Sequence, residues 1–245
     1  MFPYDHELLA FVATFPQAVS DVLQTLENIQ AVCADGDGLK WFNGLYLQVT
    51  QAVQARCQLQ GTATGGFADP AWIAALDVQF ANFYFAAVRD SLSGAATTDC
   101  WQAMFAVRNE ATIARIQFAL AGVNAHINHD LPQALDVTCR ATGITPQHGL
   151  AQYNDYTALN ATLDGLIEAA KKNLNVRLPG DALPPLSRLE DTLAAWNVSA
   201  ARESAWNNSE LLWRLADVPL VSATFLDSLD GLTAVAGKAL LVPVP

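Results

Sequence analysis

The segment 109–131 constrains the fold most, because its sequence predicts a long helix that is apolar on nearly every side. At about 100° per residue, one stripe of this helix holds large aliphatic side chains. These are Ile113, Ile116, Leu120, Val123, Ile127 and Leu131. The opposite side carries Phe118, Ala121 and Ala125 where an exposed helix would carry polar groups. Such a helix must be covered all round, so the sequence predicts a bundle of helices packed about a buried central helix.

The rest of the chain supports the same fold class. Apolar residues recur with helical spacing almost throughout, and no strong run of alternating β-branched residues appears. Prolines, glycines and capping residues divide the pattern into eight or nine helices; Asp69-Pro70, for example, precedes a helix that extends to about Leu92. The Pro-rich stretch 177–185 resembles a linker, but the three tryptophans beyond it need burial against the preceding helices. We therefore predict one all-α domain over residues 1–245.

Charge and composition restrict the function classes. With a formal net charge of −11, the sequence does not indicate a basic surface that would bind nucleic acid or anionic lipid. No segment reaches the about 18 uninterrupted apolar residues of a membrane span, since Asp77, Gln79 and Asn82 interrupt the most apolar stretch. The acidic N-terminus does not have the pattern of a secretory signal, so we expect a cytoplasmic protein with small, buried cysteines. A homodimer is expected only because dimers are the commonest oligomers.

Five polar side chains interrupt the apolar helix within seven residues: Asn124, His126, Asn128, His129 and Asp130. Burying them without partners would cost about 1–3 kcal/mol each, so they must pair with one another, with water, or with a metal or ligand. His126 and Asp130 are four residues apart and therefore share one face. A carboxylate beside an imidazole fixes its tautomer and raises its basicity, which serves a general base or the support of a metal ligand. On a regular helical wheel, His129 points to a different face from the one that His126 and Asp130 share.

The same wheel predicts a pocket beside His126. Ala119 and Gly122 lie next to it and would leave space in front of the imidazole, as a pocket wall requires. Arg115 lies on the same flank and would face an anionic group of a substrate. The remaining predicted substrate contacts are the amides of Asn124 and Asn128 and the aromatic side chains of Trp41, Tyr46, Phe80, Tyr84 and Trp206.

These residues support three hypotheses. In the first, the chain is an enzyme that acts on a small, largely apolar molecule, a lipid-like compound or natural product, with His126 and Asp130 as catalytic residues of a hydrolase, isomerase or cyclase. A divalent ion such as zinc, iron or manganese would be held by His126 and Asp130, with Asp77 and Asp155 as further ligands. Simpler roles for Asp77 and Asp155 are a hydrogen bond to an aromatic side chain and a helix cap. In the second hypothesis the pocket only binds an apolar molecule. In the third, the five polar side chains within residues 124–130, called the polar string below, stabilise the core by bonding to one another.

The polar string also carries a family resemblance. Residues 121–132, Ala-Gly-Val-Asn-Ala-His-Ile-Asn-His-Asp-Leu-Pro, resemble the N-A-H-I-N-x-D-L-P signature of an uncharacterised bacterial domain family. The resemblance extends to Trp41-Phe-x-x-Leu-Tyr, Phe67-x-Asp-Pro-x-Trp72, Asp155, Asn160 and Arg202-Glu-x-Ala-Trp206. It implies no activity, because that family has none assigned. Its members often carry arginine at the position of His129, so the resemblance does not favour an indispensable role for this imidazole.

Overall fold

Helices supply the regular structure of residues 1–174 and 197–243, the part of the chain that the computed structural model describes, and no strand occurs there. They are α1 Asp5–Phe11, α2 Val19–Val32, α3 Gly38–Cys57, α4 Pro70–Ser93, α5 Asp99–Phe105, α6 Arg115–Ala125, α7 Leu131–Thr142, α8 Ala151–Thr157, α9 Asn160–Leu174, α10 Val198–Arg214 and α11 Pro219–Leu240. Within the described ranges, eight of these helices have eleven residues or more, and the other three have seven. The all-α class predicted from the sequence is confirmed.

A single π-helical turn, His126–Asp130, joins α6 to α7 in one continuous helical segment. The central helix therefore begins at Arg115, six residues later than predicted, and it does not stop before Pro132. Proline has no amide hydrogen to donate, and the wider π turn interrupts the regular hydrogen-bond ladder just ahead of it. Every residue of α6 from Ile116 to Ala125 is buried, which confirms the predicted buried central helix.

The neighbours of the central segment decide what surrounds the polar string. Helix α6 packs against α3, α5 and α11, and the π turn lies among α4, α10 and α11. Helix α10 also packs along α7. The two C-terminal helices thus return to the main body, as the sequence predicted, whereas the Pro-rich stretch 177–185 lies outside the described residues.

Gly122 lies where α6 packs closely against α3. A Cβ atom at this position would lie 2.3 Å from Cγ of Phe42, so only glycine fits without displacing the ring. The small size of Gly122 therefore makes room for Phe42 and does not open space in front of His126, so this part of the predicted pocket wall is wrong. A helical wheel gives the direction of a residue and not the size of the neighbour it meets.

We predict that Gly122→Ala lowers the free energy of unfolding by about 1–2 kcal/mol. Overpacking a core costs about 1–3 kcal/mol, and the gain in helix propensity of up to about 1 kcal/mol offsets only part of it. Gly165→Ala in α9 is the matched control, because an added Cβ there meets nothing within 4 Å. The free energy of unfolding of this control, measured by urea denaturation, should be up to about 1 kcal/mol higher than that of the wild type. Equal stability of the two variants would show that Phe42 of α3 leaves room for a Cβ atom at Gly122.

Helix α4 is long and apolar enough to cross a membrane by length and composition alone. Of its most apolar window, 56% is buried against other helices of the protein. Core helices of globular proteins meet the same criteria, so this feature by itself does not indicate a span.

Candidate functional site

A cavity of about 80 Å³ lies beside the central segment. Its walls come from α3, α4, α9 and α10, together with the end of α6, the π turn and the start of α7. Most of the lining side chains are aliphatic or aromatic. Four lining residues carry polar or ionisable groups: Tyr46, Asp77, His126 and Arg202. The chemistry of the cavity therefore depends on these four side chains.

The buried carboxylate of Asp130 is the shared hydrogen-bond acceptor within the polar string. Nδ1 of His126 lies 2.9 Å from Oδ2 of Asp130, the pairing predicted from their spacing. The indole Nε1 of Trp101 donates to the same oxygen at 2.9 Å. Nδ1 of His129 lies 2.8 Å from the other oxygen, Oδ1. Two imidazoles and one indole thus share a carboxylate that is 2% exposed.

The sequence missed two of these three partners. The expectation that His129 points away from the pair is wrong, because the wheel assumes an α-helix and the π turn, with its i→i+5 hydrogen bonds, changes the direction of each side chain within it. Trp101 comes from α5, 29 residues away in sequence, and no local pattern connects it to Asp130. The π turn itself has no sequence signal other than Pro132, two residues after its end.

The hydrogen bonds fix the protonation of the network. Burial alone would raise the pKa of Asp130, but the hydrogen bonds from His126 and His129 hold it below its ordinary value. Asp130 is therefore an anion that only accepts hydrogen bonds, and Nδ1 of His126 must carry the hydrogen. Burial also lowers the pKa of His126, against the pull of Asp130, so this imidazole is neutral with a lone pair on Nε2. His129 behaves oppositely: burial works against its charge, but Asp130 raises its pKa.

Aromatic rings hold the His126 imidazole in place. Phe80 stacks on it with ring centroids 3.5 Å apart and planes 5° apart. Tyr46 meets it edge-on at 4.6 Å, and Phe42 does so at 5.6 Å. Tyr46 and Phe80 line the cavity as predicted, whereas Tyr84 packs against the imidazole without being part of the lining. The imidazole consequently has a fixed orientation as well as a fixed tautomer.

Three of the lining residues each carry a buried polar atom that has no hydrogen-bond partner among the described residues: Nε2 of His126, Oδ2 of Asp77 and the hydroxyl of Tyr46. The Tyr46 hydroxyl lies near that of Thr50, but the pair does not reach hydrogen-bond geometry. Burial raises the pKa of Asp77 to about 7. Burial and the charge of Asp77 raise the pKa of Tyr46. An unpaired buried group costs about 1–3 kcal/mol, so three on one cavity indicate a surface made to meet a polar ligand atom.

Arg202 adds a buried cation to the same cavity. Its Nε donates to Oδ1 of Asn160 and its Nη2 to the carbonyl of Tyr156, both at 2.7 Å. Burial lowers its pKa, and no carboxylate within the described part of the chain lies within salt-bridge distance of it. The sequence assigned the anion contact to Arg115, but that guanidinium lies over the ring of Trp41 at 4.5 Å. Neither Arg115 nor Trp41 lines the cavity.

The remaining predicted substrate contacts also lie elsewhere. Asn124 donates to the carbonyl of Thr233 in α11 at 2.9 Å, and Asn128 donates to Oδ1 of Asn124 at 3.0 Å. Trp206 is buried against Trp72 and the tyrosines of α8. Asn124 and Trp206 thus join neighbouring helices and Asn128 supports Asn124, and all three are absent from the cavity lining.

The four predicted metal ligands do not come together. Asp155 accepts hydrogen bonds from the backbone amides of residues 68 and 69, at 2.9 and 2.7 Å, and so braces the chain before α4. Asp77 lines the cavity, whereas Asp130 is already occupied by three donors. Among the residues described, no three of His126 and these carboxylates lie close enough to share one ion.

Comparison with known proteins places the chain in a family. A family model matches residues 19–243, and it describes a family of unknown function, DUF5995. The resemblance to an uncharacterised family is therefore confirmed over almost the whole chain. Neither a search of curated proteins nor a search of solved structures gives a match.

Proposed function

We propose a function for this chain, which belongs to the family DUF5995, from the chemistry of its internal cavity. The protein is an enzyme that binds a small, largely apolar molecule and transfers a proton on it, as in an isomerisation. His126 is the general base and Asp77 is the general acid. The observation that carries the proposal is Nε2 of His126, a buried nitrogen with no hydrogen-bond partner in the described residues, on a cavity with two further atoms of this kind.

His126 is arranged as a base at neutral pH. Its Nδ1–H donates to Asp130, so a proton from a substrate carbon would be accepted at Nε2. The imidazolium that forms is then stabilised by the Asp130 carboxylate. Trp101 and His129 hold this carboxylate from two other directions, which keeps the base from rotating during the transfer.

Asp77 supplies the complementary acid. Since burial raises its pKa to about 7, it is largely protonated below neutrality and can donate to a carbonyl oxygen as that oxygen gains charge. The Tyr46 hydroxyl is a second donor on the same wall. The reaction requires His126 neutral and Asp77 protonated, so its rate should fall as the pH rises above about 7.

The lining also supports a substrate class. An engineered apolar cavity of about 150 Å³ takes benzene, so about 80 Å³ fits a shorter chain of a few heavy atoms. Arg202 favours a carbonyl or carboxylate group at one position on an otherwise apolar molecule. In the described residues, the lining has no serine, threonine, cysteine or lysine, which favours proton transfer over covalent hydrolysis.

The proposal is tested by hydrogen exchange on a small ketone. The full chain is incubated with 2-butanone in D₂O, and loss of the hydrogens next to the carbonyl is followed by NMR. We expect the wild type to accelerate exchange and His126→Gln to slow it by about 10²–10⁴-fold, the usual contribution of a general base. Asp77→Asn should slow it as well.

His148→Gln is the matched control, because this imidazole is 46% exposed and is bonded to Glu203 outside the cavity lining. It should leave the exchange rate unchanged. Wild-type exchange no faster than that of His126→Gln would contradict the catalytic role. If 2-butanone still binds in a His126-dependent manner, that outcome would favour the non-catalytic binding protein predicted as the alternative.

A further inference from the structure

We infer that Cys100, His129 and Asp230 form a binding site for a divalent metal ion, and that zinc is the ion this donor set fits. One ligand atom from each residue lies within 4.8 Å of the other two. The three residues come from α5, the π turn and α11, which are separate in sequence and meet only in the fold. A thiolate, an imidazole and a carboxylate are all common zinc ligands, and three protein ligands leave a fourth position for water.

His129 is oriented as a metal ligand should be. Ligating histidines in proteins almost always donate their other ring N–H to a carboxylate or carbonyl, which fixes the ring and the tautomer. His129 makes this contact to Oδ1 of Asp130 at 2.8 Å, leaving Nε2 for an ion. The Gln133 amide lies 3.3 Å from that Nε2, but its shorter hydrogen bond goes to the His129 carbonyl at 3.0 Å. Gln133 can therefore keep its hydrogen bond to the His129 carbonyl while Nε2 binds an ion.

The other two ligands are also held in position. The two oxygens of Asp230 accept hydrogen bonds from the backbone amides of Asp99 and Cys100, each at 2.8 Å. Each oxygen keeps a further lone pair for a metal. Asp230 is partly exposed, which gives an ion a route from solvent to the buried Cys100 and His129.

Binding at this site exchanges one proton of the protein for the ion. A cysteine is mostly a thiol at neutral pH, and the thiolate is the form that binds a metal. The ion forms a bond to the sulfur of Cys100, whose proton passes to solvent, and a bond to the lone pair on Nε2 of His129. The site connects to His126 through Asp130, but the inference does not depend on the chemistry of the cavity.

The test is a metal titration of the full chain, purified without a histidine tag and stripped with a chelator. Cobalt(II) reports a cysteine ligand through thiolate-to-metal absorption in the near ultraviolet, and zinc is then titrated in competition. We expect one ion per chain with this absorption. Cys100→Ser should abolish the absorption and weaken zinc binding by more than about 100-fold, since changes to supporting groups alone cost about 10–100-fold.

Cys139→Ser is the matched control, because this cysteine is equally buried but lies in α7, away from the trio. It should keep both the absorption and the affinity. Asp230→Asn gives a second arm that removes the carboxylate charge and keeps a carbonyl acceptor for one of the two amides of α5, and it should weaken zinc binding by more than about 10-fold. A folded wild type without thiolate absorption, or unchanged zinc affinity in Cys100→Ser or Asp230→Asn, would overturn the inference.

Discussion

Replacing Asp130 by alanine should lower the free energy of unfolding by about 3–5 kcal/mol, because a buried donor without an acceptor costs about 1–3 kcal/mol and three donors share this carboxylate. The change leaves Nδ1 of His126, Nδ1 of His129 and Nε1 of Trp101 without their shared acceptor. All three donors lie in the core, where water cannot replace the lost carboxylate easily. Urea denaturation of the full chain, followed by tryptophan fluorescence, measures the loss.

Asp136→Ala is the control for this experiment. Asp136 is also an aspartate of the central segment, but it pairs at 2.7 Å with Arg140, whose side chain is 38% exposed. Such a surface ion pair contributes about 0–1 kcal/mol to the free energy of unfolding. If Asp130→Ala costs no more than Asp136→Ala, the network around Asp130 does not hold the core together.

Asp77 should make the protein less stable as the pH rises. Its pKa in the folded chain, about 7, lies above the ordinary value of 3.8, so the folded state keeps a proton that the unfolded chain loses first. The resulting stability is fully present below about pH 4 and is lost as the pH rises through about 7. Between pH 5 and 8 the expected loss is about 3 kcal/mol, from about two units of pH at 1.4 kcal/mol each.

Denaturation of Asp77→Asn at the same two pH values isolates this contribution. The amide cannot ionise, so the variant should not show this loss of stability. Its free energy of unfolding should therefore increase relative to that of the wild type as the pH increases. Asp227→Asn, a change at an exposed position of α11, should keep the full wild-type dependence. Parallel pH dependence of wild type and Asp77→Asn would contradict a raised pKa at Asp77.

Patterns within one helix were predictable from the sequence, and contacts between helices were not. Apolar periodicity gave the all-α bundle and the buried central helix, and four-residue spacing gave the His126–Asp130 pair. Tyr46 and Phe80 were found because aromatic side chains on apolar stripes point inward. A lone carboxylate in an apolar helix makes Asp77 conspicuous in the sequence, and the structure buries it among the residues that line the cavity.

The remaining features depend on which helix packs against which. Trp101 and Arg202 reach Asp130 and the cavity from distant segments, and nothing in their local sequence indicates these targets. Arg115 was placed on the correct helix, but its direction depends on Trp41 of α3. His129 was misplaced because the wheel assumed a regular helix where the chain forms a π turn. A single sequence does not contain these relations in any local pattern.

The state of the two ring nitrogens of His126 tests the central claim most directly. We propose to record the ¹⁵N resonances of this imidazole in the full chain, identified by their loss in His126→Gln. At pH 7 the hydrogen should be on Nδ1 and Nε2 should be unprotonated, and the Nε2 resonance should move when 2-butanone is added. A doubly protonated ring at pH 7, or an Nε2 resonance that does not respond to saturating 2-butanone, would contradict a base that faces the cavity.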